Sequence, residues 1–158
     1  MTLLLRKLRR FRKILKALLT APWPRRKLAF EAGCELLRAR IQTLRATKSY
    51  ITDLGELGRA PADPEPAQIA MAGEIGHMVA IVARAVPFHA VCLQQAIAVR
   101  RMLRRRNIPA KVYLGLSTTG TETPGKIGRD AHAWVETGPL VVAGDQDLDR
   151  FAVVATFG

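Results

Sequence analysis

Acidic residues are scarce in this chain of 158: thirteen Asp and Glu stand against 25 Lys and Arg, for a formal net charge of +12. So large an imbalance points to an anionic partner, which an acidic peptide, a membrane surface or a nucleic acid can each supply. Aromatic residues are also few, at 6%. No nucleic-acid motif interleaves them with the basic residues, which argues against nucleic acid. Cysteine occurs twice, as Cys34 and Cys92, in dissimilar contexts. Two isolated thiols give neither a disulfide framework nor zinc-ligand spacing, so a reduced, cytoplasmic setting is expected. No apolar run approaches the roughly 20 residues of a membrane span. The opening MTLLLRKLRRFRKILKALL breaks its leucines with Arg or Lys every two or three positions, unlike a signal peptide. What is present is a chain about half apolar, long enough for one compact core.

Residues 3–20 read as a basic amphipathic helix. Leu4, Leu8, Phe11, Leu15 and Leu18 form one stripe, and Arg6, Arg9, Arg10, Lys13 and Lys16 cover the rest. Pro22 and Pro24 end it. A second helix is expected over 25–46, partly burying Leu28, Ala32, Leu36, Ile41 and Leu44. The Pro-, Gly- and acid-rich stretch 51–66 reads as a connection, which suggests a basic helical region over 1–50 and a second region over 51–158, or one compact unit of both. Helical character resumes over 67–86 and stops at Pro87. A helix over 91–106 carries Cys92 and ends at Asn107 and Pro109. Strands follow at 111–116, 130–137 and 140–143, with a Gly/Thr/Pro loop over 117–129, an acidic turn over 144–149 and an extended apolar end at 151–157.

This order can carry chemistry. A cysteine in the first turn of a helix meets the positive end of the helix dipole, which favours the thiolate. A histidine within reach takes the thiol proton and returns it to the leaving group. A carboxylate behind the histidine fixes its tautomer, and helix-start amides can bind an oxyanion. Cys92 and His132 are forty positions apart, so they meet only if the sheet packs against the Cys92 helix. Read alone, Cys92 is as well explained as a small buried hydrophobe, and His132 as a hydrogen-bonded strand residue.

The stretch VCLQQAIAVRRMLRRRNIPAKVYLGLS followed by DAHAWVE resembles the leader peptidases of lasso-peptide biosynthesis, a family of transglutaminase-like cysteine proteases. The likeness covers roughly residues 80–158, with a vaguer similarity in the basic N-terminal part. AHAWVE is shared with broader transglutaminase-like proteins; its combination with CLQQ and RRRNIPA is more specific. The resemblance implies an α+β fold of the transglutaminase-like or papain-like kind, with a central helix packed on an antiparallel sheet and a helical N-terminal region. It implies Cys92 as nucleophile, His132 as base and an acid just beyond the next strand. Asp145 fits that place best and Asp147 second. Gln95 is a candidate support for bound substrate. Trp134 is a candidate shield for the histidine–acid pair. No cofactor or metal is implied. The partners it implies are the precursor peptide, a separate leader-recognition protein and the lasso cyclase.

Other residues have plainer readings. Cys34 reads as core packing and His77 as a core or cap histidine. His89, three positions before Cys92, is a weak rival base, and Asp130 reads as a turn residue. The arginines of 100–106 form either a solvated helix face or a docking surface for an acidic partner. The 117–129 loop, with Gly120, Gly125 and Gly128, is a lid or a plain connection. Three functions follow: a leader peptidase, an acyl transferase on the same residues, and a non-enzymatic basic module that binds a membrane surface or nucleic acid through residues 1–20 and 100–106, the membrane version being better supported.

Overall fold

The computed structural model describes residues 16, 20–45, 48–117 and 131–158. Most of the basic segment 3–20, nearly all of the 117–129 loop with its three glycines, and Asp130 lie outside the described residues.

Helix α1 spans Trp23–Arg45. Pro24 sits in its first turn, where a fixed φ and a missing amide cost nothing. Ala29, Ala32, Leu36 and Ala39 form its buried stripe, and the small size of the three alanines lets α1 lie close to the two long helices that follow. Ile41 and Leu44, expected to be partly buried, are 41% and 68% exposed, and Cys34, expected in the core, is also exposed. At about 100° of rotation per residue, these three fall on the side of α1 opposite the alanine stripe.

Helix α2, Lys48–Leu54, occupies the start of the segment expected to be a connection. Leu54 is fully buried, and this anchor overrides the breaker-rich sequence after it. Residue 50 therefore lies within a helix rather than at a boundary, and α1 packs on the helices beyond it. The next residues run beside the chain end. Glu56 N–H donates to the Gly158 carbonyl at 3.0 Å and Gly58 N–H to that of Thr156 at 2.8 Å. Gly55 holds φ 122° there, and a Cβ would stand 2.5 Å from the Gly158 oxygen.

Helix α3, Pro66–Ala83, and helix α4, Cys92–Arg104, complete the helical layer. By length and composition α3 could cross a bilayer, but it packs on α1, α4 and the sheet. Gly76 makes that close packing possible, because a Cβ there would meet the Val142 carbonyl oxygen at 2.0 Å. Asn107, at φ 53°, turns the chain out of α4.

Strands β1 (Lys111–Ser117), β2 (Ala131–Thr137), β3 (Leu140–Ala143) and β4 (Phe151–Phe157) form an antiparallel sheet ordered β3-β2-β1-β4. Strand alternation gives it two faces. Val112 pairs with Val135 and Leu114 with Ala133 on the face against the helices. Tyr113 pairs with Trp134 and Gly115 with His132 on the other. The protein is thus an α+β fold in which α4 lies on an antiparallel sheet.

Most of the arginine run is tied into the fold, while the Arg104 and Arg105 side chains stay 55% and 46% exposed. Arg101 is 3% exposed. It pairs with Glu35 at 3.3 Å and Asp53 at 2.6 Å, and donates to Gln42. Arg106 pairs with Glu31 at 2.6 Å. Arg105 pairs with Glu31 and Glu35, and Arg100 caps the Leu54 carbonyl at 3.1 Å. The run ties α4 to α1 and α2, because acids on those helices face it. The Arg106 hydrogen bond holds the Glu31 carboxyl below its usual range. Burial pushes Asp53 up, but the hydrogen bond and charge of Arg101 more than offset that, and its carboxyl also lies low.

A depressed folded-state pKa stabilises above the unfolded value and is lost as pH falls through the folded one. Thermal stability should therefore hold at neutral pH and decline below about pH 4. Asp53→Asn leaves Arg101 short of a counter-charge in a buried place. Urea unfolding at pH 7 should show a loss of about 1–3 kcal/mol, with a flatter acid limb in the pH profile of the melting temperature. A loss under about 1 kcal/mol would remove the clamp.

Candidate active site

Cys92 is the first residue of α4. Val91 precedes it in extended conformation, and its N–H donates to the Gln94 side-chain oxygen at 3.3 Å. The Gln94 amide nitrogen in turn donates to the Thr43 hydroxyl at 2.9 Å. A buried glutamine thus fastens the start of α4 to α1, which fixes the thiol's position. The early amides of α4 lack intrahelical acceptors and point toward the thiol end, where the helix dipole favours a thiolate or an oxyanion.

Cys92 is half-buried at the floor of a cleft of about 1310 Å³, between α3 and the 84–91 segment on one side and β2 and β3 on the other. His132, Gln95, His77, His89 and Asp145 line the same cleft. The thiol's polar neighbour is the Ala131 carbonyl oxygen at 4.0 Å, one residue before His132. Sulfur and imidazole therefore share one cleft, and among the described residues no hydrogen bond joins them. Catalytic hydrogen bonds are often long in ligand-free structures and tighten with substrate.

The His132 ring is held on three sides. Its Nε2 lies 2.9 Å from the Gly144 carbonyl oxygen, its centroid is 4.8 Å from that of Phe151, and Trp134 lies beyond at 6.1 Å. A carbonyl can only accept, so a neutral ring in this contact carries its proton on Nε2 and presents the Nδ1 lone pair. Gly115, across from His132 on β1, makes room: a Cβ there would come within 2.9 Å of the Trp134 indole and 3.0 Å of the Phe151 Cβ.

The expected acid is placed differently. A backbone carbonyl, not a carboxylate, meets the imidazole. Asp145 is the next residue, exposed at the cleft rim and making no hydrogen bond or ion pair among the described residues. Asp147 sits at φ 50° and pairs with Arg150 at 3.7 Å, away from His132. Gly144 can supply the carbonyl because it holds φ 78° against the β2 backbone, where a Cβ would meet the Ala133 oxygen at 2.5 Å.

Gln95 lines the cleft with its amide nitrogen committed to the Ala90 carbonyl at 2.8 Å, so it braces the 90–92 segment. Trp134 does not line the cleft. It is 5% exposed, stacks on Tyr113 at 5.1 Å and donates to Glu136 at 3.1 Å, which makes it packing behind His132 rather than a substrate contact. His77, expected as core or cap, is exposed on the α3 wall of the cleft, as is His89 on the adjoining segment. Sequence reasoning missed Gln94, Gly144 and Phe151. For Gln94 a signal existed, since glutamine three residues after a helix cap is half of a capping box.

A thiol at a helix tip thus shares a cleft with a histidine from an antiparallel sheet. The model of the transglutaminase-like superfamily matches residues 35–156, and the chain belongs to that superfamily, which includes cysteine peptidases and acyltransferases. No curated protein and no solved structure matches it.

Two substitutions separate the carbonyl-held histidine from a carboxylate-held one. An orienting carboxylate changed to the amide costs about 10⁴-fold in turnover, whereas Asp145→Asn here should cost no more than a few-fold. Gly115→Val should displace Phe151 and Trp134 and lower turnover by more than about tenfold while the chain stays folded by circular dichroism. A collapse of activity in Asp145→Asn would restore that residue as the triad acid.

Proposed function

We propose that the chain is a cysteine peptidase that removes the leader from a ribosomally synthesised lasso-peptide precursor. The observation that carries the reading is the common cleft: Cys92 at the tip of α4, with His132 held by Gly144 on its rim. The resemblance of the CLQQ, RRRNIPA and AHAWVE stretches narrows it from the superfamily to this substrate. An open cleft of this volume suits an extended peptide better than a small metabolite.

His132 Nδ1 takes the Cys92 proton as sulfur attacks the scissile carbonyl carbon. The carbonyl π electrons move to oxygen, where α4 amides receive the oxyanion. Collapse expels the amine, which takes the proton from the imidazolium and leaves as the core peptide with a free N-terminus. Water, deprotonated by His132, then releases the leader as an acid and restores the thiol. The Nε2–H to Gly144 contact persists throughout and stabilises the imidazolium. On this reading the enzyme works in the cytoplasm, a separate protein delivers the leader, and the lasso cyclase consumes the freed amine.

Acyl transfer shares every step up to the acyl-enzyme. The test uses purified precursor with its leader-recognition protein. Cys92→Ala and His132→Ala should each lose about 10³-fold or more in cleavage rate, and the leader product should carry one added water by mass. An amine adduct would make the protein a transferase, and undiminished cleavage by Cys92→Ala would end the thiol mechanism.

A further inference from the structure

Helix α1 has a second face that packs on no other element among the described residues. Trp23, Phe30, Cys34, Leu37, Ile41 and Leu44 follow one another at spacings of seven, four, three, four and three residues. That spacing is a straight helical stripe, about 32 Å long at 1.5 Å per residue. It points away from the buried stripe of Ala29, Ala32, Leu36 and Ala39. Its large apolar members are 41–76% exposed. A soluble monomer rarely leaves so long a contiguous apolar strip in water.

The charges beside the strip indicate what covers it. Lys27, Arg38 and Arg45 flank one side and Arg26 the other. None of these forms an ion pair among the described residues; Arg26 and Lys27 lie over the Trp23 ring, at 5.6 and 5.4 Å. The acids of α1, Glu31 and Glu35, are turned to the arginines of α4. The strip is thus apolar along its centre and cationic along its borders. A second copy of α1 would bring like charges together. The chain's own residues 1–20 carry seven Lys and Arg and no acid, so they meet the same repulsion. The complementary occupant is apolar within and anionic at its surface.

We propose that α1 lies flat on an anionic lipid bilayer, with Trp23, Phe30, Leu37, Ile41 and Leu44 in the headgroup–acyl boundary and the flanking cations on lipid phosphates. Buried apolar area and cation–phosphate attraction together hold such a helix at an interface. A lipid surface is favoured over an acidic protein because residues 1–20, ahead of α1, repeat the same leucine-and-arginine composition. A fluid anionic surface accommodates both without a shape match. This assignment does not depend on the chemistry at Cys92.

The test uses the full chain with phosphatidylglycerol–phosphatidylcholine vesicles and with pure phosphatidylcholine vesicles. The chain should cosediment with the anionic vesicles and far less with the zwitterionic ones, and added salt should weaken the association. The pair Leu37→Glu and Ile41→Glu, on an exposed face away from the cleft, should reduce anionic-vesicle partitioning by at least about tenfold with an unchanged melting curve. Trp23 emission should shift to the blue on binding. Trp23→Phe should abolish the shift, because Trp134 is already buried. Three results would each overturn the proposal: no preference for anionic vesicles, a double variant that binds as well as the parent, or a stoichiometric dimer in solution that the double variant dissolves.

Discussion

A buried guanidinium constrains this fold. Arg101 sits in the middle of α4 with almost no access to water, and an unpaired charge there would cost several kcal/mol. Its position is tolerable only while Glu35 of α1 and Asp53 of α2 stand beside it. That requirement fixes the rotation of α4 about its axis and the approach of two other helices at once. A buried pair of this kind adds little net stability over an apolar equivalent; what it contributes here is register. An α4 rotated by one residue would turn Arg101 into the apolar contact and Cys92 away from the cleft.

The site follows from that register. With α4 fixed, Gln94 reaches Thr43 and the helix start is pinned from both ends of one turn. The sheet supplies the other half by a separate route. Gly115 leaves a hollow on β1, Trp134 and Phe151 fill it, and the imidazole rests against Phe151 with its Nε2 on the Gly144 carbonyl. Cys92 is therefore positioned by polar contacts between helices, and His132 by aromatic packing on the far face of the sheet. The two halves meet at the strand end, where the Ala131 carbonyl lies nearest the sulfur.

Much of this was legible in the sequence. Period-two alternation and turn residues located three of the strands, and the fourth followed from an apolar extended end. The spacing around Cys92 placed it at a helix start. The failures have two causes: partners remote in sequence, and backbone groups that a sequence does not display. The arginine run looks solvated until Glu31, Glu35 and Asp53, some fifty to seventy-five positions earlier, come to face it. Ile41 and Leu44 look like core because apolar residues lie on both faces of α1, and the packing of alanines against α3 decides which face turns inward. Asp145 looks like the acid because side chains are visible in a sequence and backbone carbonyls are not. Gly144, the residue that matters there, acts through its conformation and its oxygen.

The distribution of charge bears on how the site meets a substrate. Five of the 25 basic residues lie on α4 and its end, and their guanidiniums are largely spent on acids and carbonyls inside the fold. Seven more lie in residues 1–20 of the sequence, and others border the outward face of α1. The cleft itself holds His77, Arg84 and His89 on its helical side and Asp145 on its strand side, a mixed lining that attracts neither sign strongly. On the proposed membrane reading, long-range steering by the +12 net charge serves the approach to an anionic surface more than the delivery of a peptide to the thiol. On the proposed peptidase reading, selection of the peptide rests on contacts within the cleft or on a separate protein that presents it. Under the proposed peptidase reading, a carrier and confinement to a surface would each raise the local concentration of the peptide without any new contact in the active site.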